Sequence, residues 1–364
     1  MLSAEIFTDE NDLGELYDFW DRLVVQDEVP MAAPAWGLSW LRHLAPAGSR
    51  MRLIAVREGD EPVGIVPLFL QDDSGAVAYG TLGERFLWRV TPLSVPGRSW
   101  EVAEAAWTAL LGAEPAPDIV RMRSGSTGPW YAPWHLIALQ RPVRERPVVR
   151  HGDFLRCPFT STEGEFDSWF AGRSSNFRSE MRRARRRLEQ SGGTIRTSTA
   201  ETIEADLETY VRLHLARWQD GGSGFSPLGE SLPRMLVEVA RALPADRMVL
   251  HTVELEGEPI GAQLFSRAGG VLSFHNSGWN PDHAKLKPGL VGMLHAIEQA
   301  FATGATRLDF GPGDYSYKLR FATGDEPVVR STFLFPGLRV AGAASTRLAS
   351  RLGTTALARL RERR

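Results

Sequence analysis

The side chains best suited to chemistry gather between Val271 and Phe321. His275, Asn276, Ser277, Trp279, Lys285, Lys287, Asp309, Asp314, Tyr315, Tyr317 and Lys318 all fall there. The chain has 42 basic residues, yet only three are lysine, and all three lie in this stretch. Arginine serves everywhere else, so the exceptions point to a need for the compact point charge of an ammonium. The alternative is three lysines that share a solvated loop by chance. A carboxylate or imidazole can take a proton from a nucleophile, a phenol can return one to a leaving group, and an ammonium can hold an anion. Asp314, Lys318, Asp309, Tyr315 and His275 are the catalytic candidates. Asp314 and Lys318 are preferred, because the glycine-proline turn Gly311 to Gly313 fixes the acid and the tyrosines beside it exclude water. The competing structural roles are a turn-capping aspartate, a satisfied core histidine and tyrosines packed against a strand.

The elements that must position these residues follow from pattern. Val271 to Ser277 is β-prone and preceded by glycines, so it predicts a strand. Pro288 and Gly289 open a run in which Leu290, Leu294, Ile297 and Phe301 share a helical face, and Gly304 marks its stop. Ala305 to Phe310 predicts a second strand. A helix N-terminus offers unpaired N–H groups and the positive end of its dipole, which is a ready anion site. Lys285, Lys287, Gly289 and Leu290 are the expected donor-binding residues there. Backbone N–H groups near Asn276 and Ser277 are candidates for stabilising an oxyanion.

Composition sets the frame. A chain of 364 residues is comfortable for two domains, and 43% hydrophobic with 24% charged residues is a folded, globular balance. A net charge of −2 gives no global case for nucleic-acid binding. The single Cys157 excludes an intrachain disulfide. The N-terminus lacks a basic and apolar leader and no apolar run is long enough to span a bilayer, so a cytoplasmic protein is expected. No metal-ligand spacing occurs.

An internal repeat links the two halves. Val56 to Gly64 (VREGDEPVG) and Val253 to Gly261 (VELEGEPIG) share Val, Glu-Pro and Gly at an offset of 197, and a Pro-Gly ahead of a helix recurs at Pro96 and Pro288. Only the second copy keeps the histidine, lysines and tyrosines, so chemistry is expected there and the first copy is degenerate. Amphipathic helices are expected over Leu13 to Val25 and Trp36 to Leu44, another after Pro96, and a strand at Asp118 to Met122. The proline- and aromatic-rich segment from Pro129 to about Val149 reads as a connection. Between the halves, Phe177, Met181, Ala184 and Leu188 define one face of a helix at 174–190 whose other faces are arginine-rich. Arg182 and Arg186 there, with Arg217, Trp218 and Trp279, are the candidates for binding an anionic substrate. The alternative is a solvated helix face. Glu201 to Trp218 predicts another helix, followed by a glycine-rich loop expected to be mobile. The segment 336–364 predicts a basic terminal helix, either docked or touching a membrane surface.

The second half resembles the GNAT acyltransferase fold. More narrowly, NFRSEMRRARRRLE, LHLARW, EPIGAQLF, SGWNPDHAKLKPGL and LDFGPGDYSYKLRF resemble the tandem-GNAT CelD-like branch, related to the Fem aminoacyltransferases. The resemblance implies two α/β GNAT-like domains, at 1–150 and 151–335, each a mixed, mostly antiparallel sheet flanked by helices. It implies transfer of an acyl group from acyl-CoA, such as acetyl-CoA, to an amine or hydroxyl of a small molecule or polysaccharide precursor. KLKPGLVG departs from the usual pyrophosphate loop, with Val291 where glycine or alanine is usual. That keeps open an aminoacyl-tRNA donor, with tRNA held by the arginine helix, and a catalytically silent binding protein in polysaccharide assembly.

Overall fold

Two β-sheets organise the chain in the computed structural model, which describes residues 2–84, 86–126, 128–217, 231–337 and 339. The first is built from β1 (Leu2–Phe7), β2 (Arg50–Glu58), β3 (Glu61–Asp73), β4 (Ala76–Thr81), β6 (Ile119–Gly125), β15 (Val328–Leu334) and β7 (Val148–Leu155) in that order, with β5 (Leu93–Ser94) paired to β3. The second runs β14 (Gly324–Asp325), β8 (Pro158–Ser161), β13 (Arg307–Asp309), β12 (Val271–Trp279), β11 (Glu258–Ala268), β10 (Met248–Leu255) and β9 (Gly193–Thr197). Each is a mixed, mostly antiparallel sheet flanked by helices.

The repeat in the sequence is a repeat of sheet topology. The hairpins β2–β3 and β10–β11 are both antiparallel, and each slips register at the matching place, between Val56 and Arg57 and between Val253 and Glu254. In each domain the next strand pairs antiparallel with the hairpin, a helix follows, and a parallel strand returns beside it: β4 with β6 and β12 with β13. The helices are α3 (Ser99–Leu111) and α9 (Pro288–Ala302).

The two compact units are interleaved along the chain. One comprises residues 1–20, 45–154 and 329–364; the other comprises 21–44 and 155–328. The final strand β15 thus completes the first sheet, and all of the helical residues 34–43 belong with the second unit.

In the first unit, α3 and α4 (Tyr131–Gln140) bury Val102, Trp107, Trp134 and Ala138 with Ile54, Val66 and Phe333. The segment expected to be a connection therefore contains a helix and the start of β7. Its apolar residues show no single stripe, because the helix is apolar all round, and periodicity does not reveal such a helix.

In the second unit, α5 (Phe166–Ala171), α6 (Ser175–Gln190), α9 and α10 (Ser316–Phe321) surround a core of Trp169, Phe177, Phe265, Leu294, Phe310 and Phe321. Ser174 caps α6, accepting from the Phe177 N–H, and the buried stripe of α6 is Phe177, Met181, Ala184 and Leu188, as the pattern predicts. Of the early helices, α1 spans Glu15–Gln26 and α2 spans Pro34–His43. α2 is pinned to α8 (Ser231–Ala242): the Glu238 carboxylate takes a hydrogen bond from Ser39 Oγ at 2.7 Å and lies 2.6 Å from His43 Nε2, with Arg42 beside it. These partners hold its pKa down to about 2. α7 spans Ile203–Arg217. The expected glycine-rich loop after Arg217, and the terminal helix apart from Pro336, Gly337 and Arg339, lie outside the described residues. No helix among the described residues is long and apolar enough to cross a membrane.

Candidate active site

β12 parts from β13 after its first three residues. The two pair only from Val271 to Ser273 against Arg307 to Asp309. The same point on β12 carries a bulge: Leu264 faces Asn276 and Phe265 faces Phe274, leaving His275 as the extra residue. Beyond the bulge, β12 keeps β11 on one side and leaves its other edge without β13.

A cleft of ≈ 250 Å³ lies here, lined by Arg217, Ser277, Trp279, Ala284, Lys287, Pro288, Gly289, Leu290, Met293 and Tyr317. Two helix ends meet at it. α9 begins with Lys287 as its N-cap in a left-handed conformation (φ 53°), Pro288 at the first helical position and Gly289 at the second. Pro288 has no N–H to satisfy, and the Leu290 and Val291 N–H groups donate to the Lys287 carbonyl at 3.0 and 3.1 Å, so the Gly289 N–H and the positive end of the helix dipole are what this end offers an anion. The beginning of α9 sits tightly on the sheet. A Cβ at Gly261 would come 2.8 Å from Pro288, and one at Gly292 would come 2.0 Å from Gln263 Oε1.

α7 supplies the other wall. Gly278 lets its backbone close on β12, since a Cβ there would lie 2.2 Å from the His214 nitrogen. That contact brings His214 Nδ1 to 3.1 Å from the Ser277 carbonyl and lets Arg217 Nη1 donate to Ser277 Oγ at 2.8 Å. The Arg217 guanidinium also lies over the Trp279 ring, 5.8 Å from its centroid. Burial pushes the pKa of the His214 imidazole down, and that of the Arg217 guanidinium down as well. Tyr317 completes the lining. Burial raises its phenol to about 12, against the lowering effect of Arg217.

Of the sequence candidates, Lys287, Gly289, Leu290, Ser277, Arg217 and Trp279 line the cleft. Asn276 adjoins it, its Oδ1 accepting from the Ser277 N–H at 2.9 Å. Lys285 is exposed, and its carbonyl accepts from Arg187 at 3.2 Å. Lys287 donates to Glu180 of α6 at 2.6 Å, and the same carboxylate pairs with Arg320. Both partners hold Glu180 below the usual carboxylate range. Arg182 and Arg186 are exposed on α6, with Arg182 over Phe170. Trp218 lies outside the described residues.

The five catalytic candidates do not line the cleft. His275 is stacked on Trp36 at 4.3 Å and lies 2.7 Å from Ser266 Oγ, with its pKa pushed by burial down to about 3. Asp309 is buried and accepts from Arg307 at 2.7 Å. Arg307 also pairs with Glu326 and lies over Phe159, so this acid serves an ion-pair network at the β13 edge. Asp314 and Tyr315 are exposed. Lys318 is buried, donating to the Pro312 carbonyl at 2.8 Å and the Gly311 carbonyl at 3.3 Å, with burial pushing it down to about 8. It fastens the Gly311 to Gly313 turn to α10. The sequence offers either Tyr315 or Tyr317 as an acid, and the first turn of α10 sends Tyr317 to the cleft and leaves Tyr315 outside it. The signal for Tyr317 was weak: a six-residue helix hidden in what reads as an aromatic cluster.

At the end of β4 in the first domain the described residues form a much smaller space. Thr81, Glu84, Leu87, Arg121, Arg123 and Arg330 border a space of only ≈ 10 Å³, about enough for one water.

Residues 175–319 match the family described as an acetyltransferase (GNAT) domain. No curated protein matches the chain. Solved structures similar to it include FemX, with 14% identity, a TM-score of 0.61, and 87% of this chain and 96% of that one covered. The C-terminal domain of a putative lysylphosphatidylglycerol synthetase from Agrobacterium fabrum is 10% identical with a TM-score of 0.58, covering 93% and 97%. The structure of L-PGS from Bacillus licheniformis is 11% identical with a TM-score of 0.54, covering 95% and 99%. At these identities the likeness is one of fold, extending over both domains.

Proposed function

With a GNAT-type acetyltransferase domain over α6 to α10, we propose that the cleft transfers an acyl group from acyl-CoA to an amine or hydroxyl of a small molecule or polysaccharide precursor. The observation that carries this reading is the parting of β12 from β13 directly beside the N-terminus of α9. An open strand edge can pair with the amides of an extended donor arm, and the helix end can hold its phosphates. Gly289 suits the close approach of such a group, with Trp279 as the neighbouring wall.

In this account the acceptor attacks the carbonyl carbon beside Ser277. Negative charge develops on the carbonyl oxygen and is met by the Arg217 guanidinium, held in place by Ser277 and Trp279. When the tetrahedral intermediate collapses, the bond to the thiolate breaks and Tyr317 donates its proton to the sulfur. A phenol raised by burial remains protonated at neutral pH, as an acid must. The described lining residues include no carboxylate or imidazole, so the acceptor loses its proton to solvent. Lys318 and Asp314 act in this scheme by holding and flanking the turn that carries Tyr317.

A second reading, with an aminoacyl-tRNA donor, is favoured by one observation. Arg182, Arg183, Arg186 and Arg187 are exposed on α6 beside the exposed Lys285, within reach of the same helix end. Calorimetric titration with acetyl-CoA and longer acyl-CoAs separates the two. Saturable binding weakened by Lys285→Gln with Lys287→Gln supports the CoA reading. Absence of binding at every chain length, with saturable and salt-sensitive binding of bulk tRNA, replaces it with the second.

A further inference from the structure

The first domain presents an apolar surface that the cleft does not use. α4 is apolar on all sides: Pro133, Trp134, His135 and Ala138 are buried, Trp134 accepts from the Trp107 indole through its carbonyl at 2.9 Å, and His135 Nε2 lies 2.7 Å from Ser331 Oγ. These contacts fix which side of the helix faces out. Ala132, Leu136 and Leu139 lie within about 60° of one another on the wheel, and all three are exposed, the leucines at 44% and 41%. The turn after the helix adds Val143 at 82%, and the start of β7 adds Val148 at 55%. Four large aliphatic side chains in thirteen residues are therefore held out to solvent by a well-anchored helix.

Charge in the same segment has one dominant sign. α4 itself has no Asp, Glu, Lys or Arg, whereas Arg141, Arg144, Arg146 and Arg150 follow within ten residues against Glu145 alone. Arg141 is used internally, donating to Thr108 Oγ1 at 2.7 Å and the Glu104 carbonyl at 3.2 Å. Arg144, Arg146 and Arg150 are exposed. Aliphatic residues at the tip with arginines beside them match the chemistry of an anionic bilayer, with acyl chains inside and phosphates at the rim. A protein partner more commonly takes aromatic anchors, and none of the four exposed side chains is aromatic.

We propose that α4 and the turn that follows dock on an anionic lipid surface, with Leu136, Leu139 and Val143 entering the headgroup–acyl boundary and Arg144, Arg146 and Arg150 holding lipid phosphates. The interaction is peripheral and does not depend on what the cleft transfers.

The test is co-sedimentation of the full chain with vesicles of phosphatidylcholine alone and with roughly 30% phosphatidylglycerol added. Binding is expected to the anionic vesicles, weakened about fivefold by each of Arg144→Gln, Arg146→Gln and Arg150→Gln and by raised salt. Leu136→Gln with Leu139→Gln and Val143→Gln should weaken it at least about tenfold. These positions are exposed, so the unfolding midpoint in urea should hold; it is measured to show that lost binding is not lost folding. Three results overturn the proposal: no binding to anionic vesicles, binding that the patch variants leave intact, or patch variants that abolish a lipid-free self-association seen by light scattering.

Discussion

Replacing Gly278 with alanine tests how the cleft is held together. The new Cβ would stand 2.2 Å from the His214 nitrogen and 2.5 Å from the Leu213 carbonyl carbon. Both are backbone atoms of α7, so no side-chain rotation relieves the collision, and the helix must move by about 1 Å to reach ordinary contact. Overpacking that displaces backbone costs about 3 kcal/mol, toward the upper end for a single added methyl. The same displacement withdraws His214 and Arg217 from Ser277, because both reach it from the last turn of α7. Urea denaturation followed by tryptophan fluorescence should show the lower midpoint, and acyl transfer should fall even at temperatures where the variant remains folded. A variant within about 0.5 kcal/mol of the parent, with full turnover, would refute the claim that close approach of α7 to β12 builds the site.

Other substitutions separate folding from binding. Gly289→Ala places its Cβ 3.5 Å from the Trp279 ring, an ordinary contact, so stability should hold while donor affinity measured by calorimetry falls about tenfold as the methyl enters the phosphate-facing turn. Glu180→Gln releases Lys287 and Arg320 and should tighten binding of an anionic donor several-fold at low salt, an advantage that raised salt removes. Lys318 gives a pH signature. Burial pushes its pKa down to about 8 in the fold from the ordinary lysine value of 10.5, so the folded state disfavours the charged form, and stability is greatest above the unfolded value and declines as pH falls toward 8. The swing is about 3 kcal/mol at most, and urea midpoints at pH 7 and pH 10 should show it in the parent and not in Lys318→Met.

How much of this was legible in the sequence depended on whether the signal was local. Pro288 and Gly289 at the start of α9, the stripe on α6, and the shared Glu-Pro segment of the two hairpins are all written within a few residues, and each is in the structure. Pairings between distant segments left no such trace. The placement of β15 in the first sheet and of β8 beside β13 joins residues far apart in sequence. Asp309 and His275 are of catalytic type, but their burial against Arg307 and Trp36 is decided by tertiary packing. The same holds for Tyr315 and Tyr317, two residues apart in one motif, where only the turn of α10 selects which reaches the cleft.

The central claim is that the donor lies between the open edge of β12 and the start of α9. Backbone hydrogen exchange with and without saturating acetyl-CoA tests it without requiring an acceptor. Slowed exchange concentrated at Asn276 to Trp279 and Gly289 to Val291 is the result this account predicts. Saturating donor that leaves these amides unchanged, or protects amides elsewhere in their place, would contradict it.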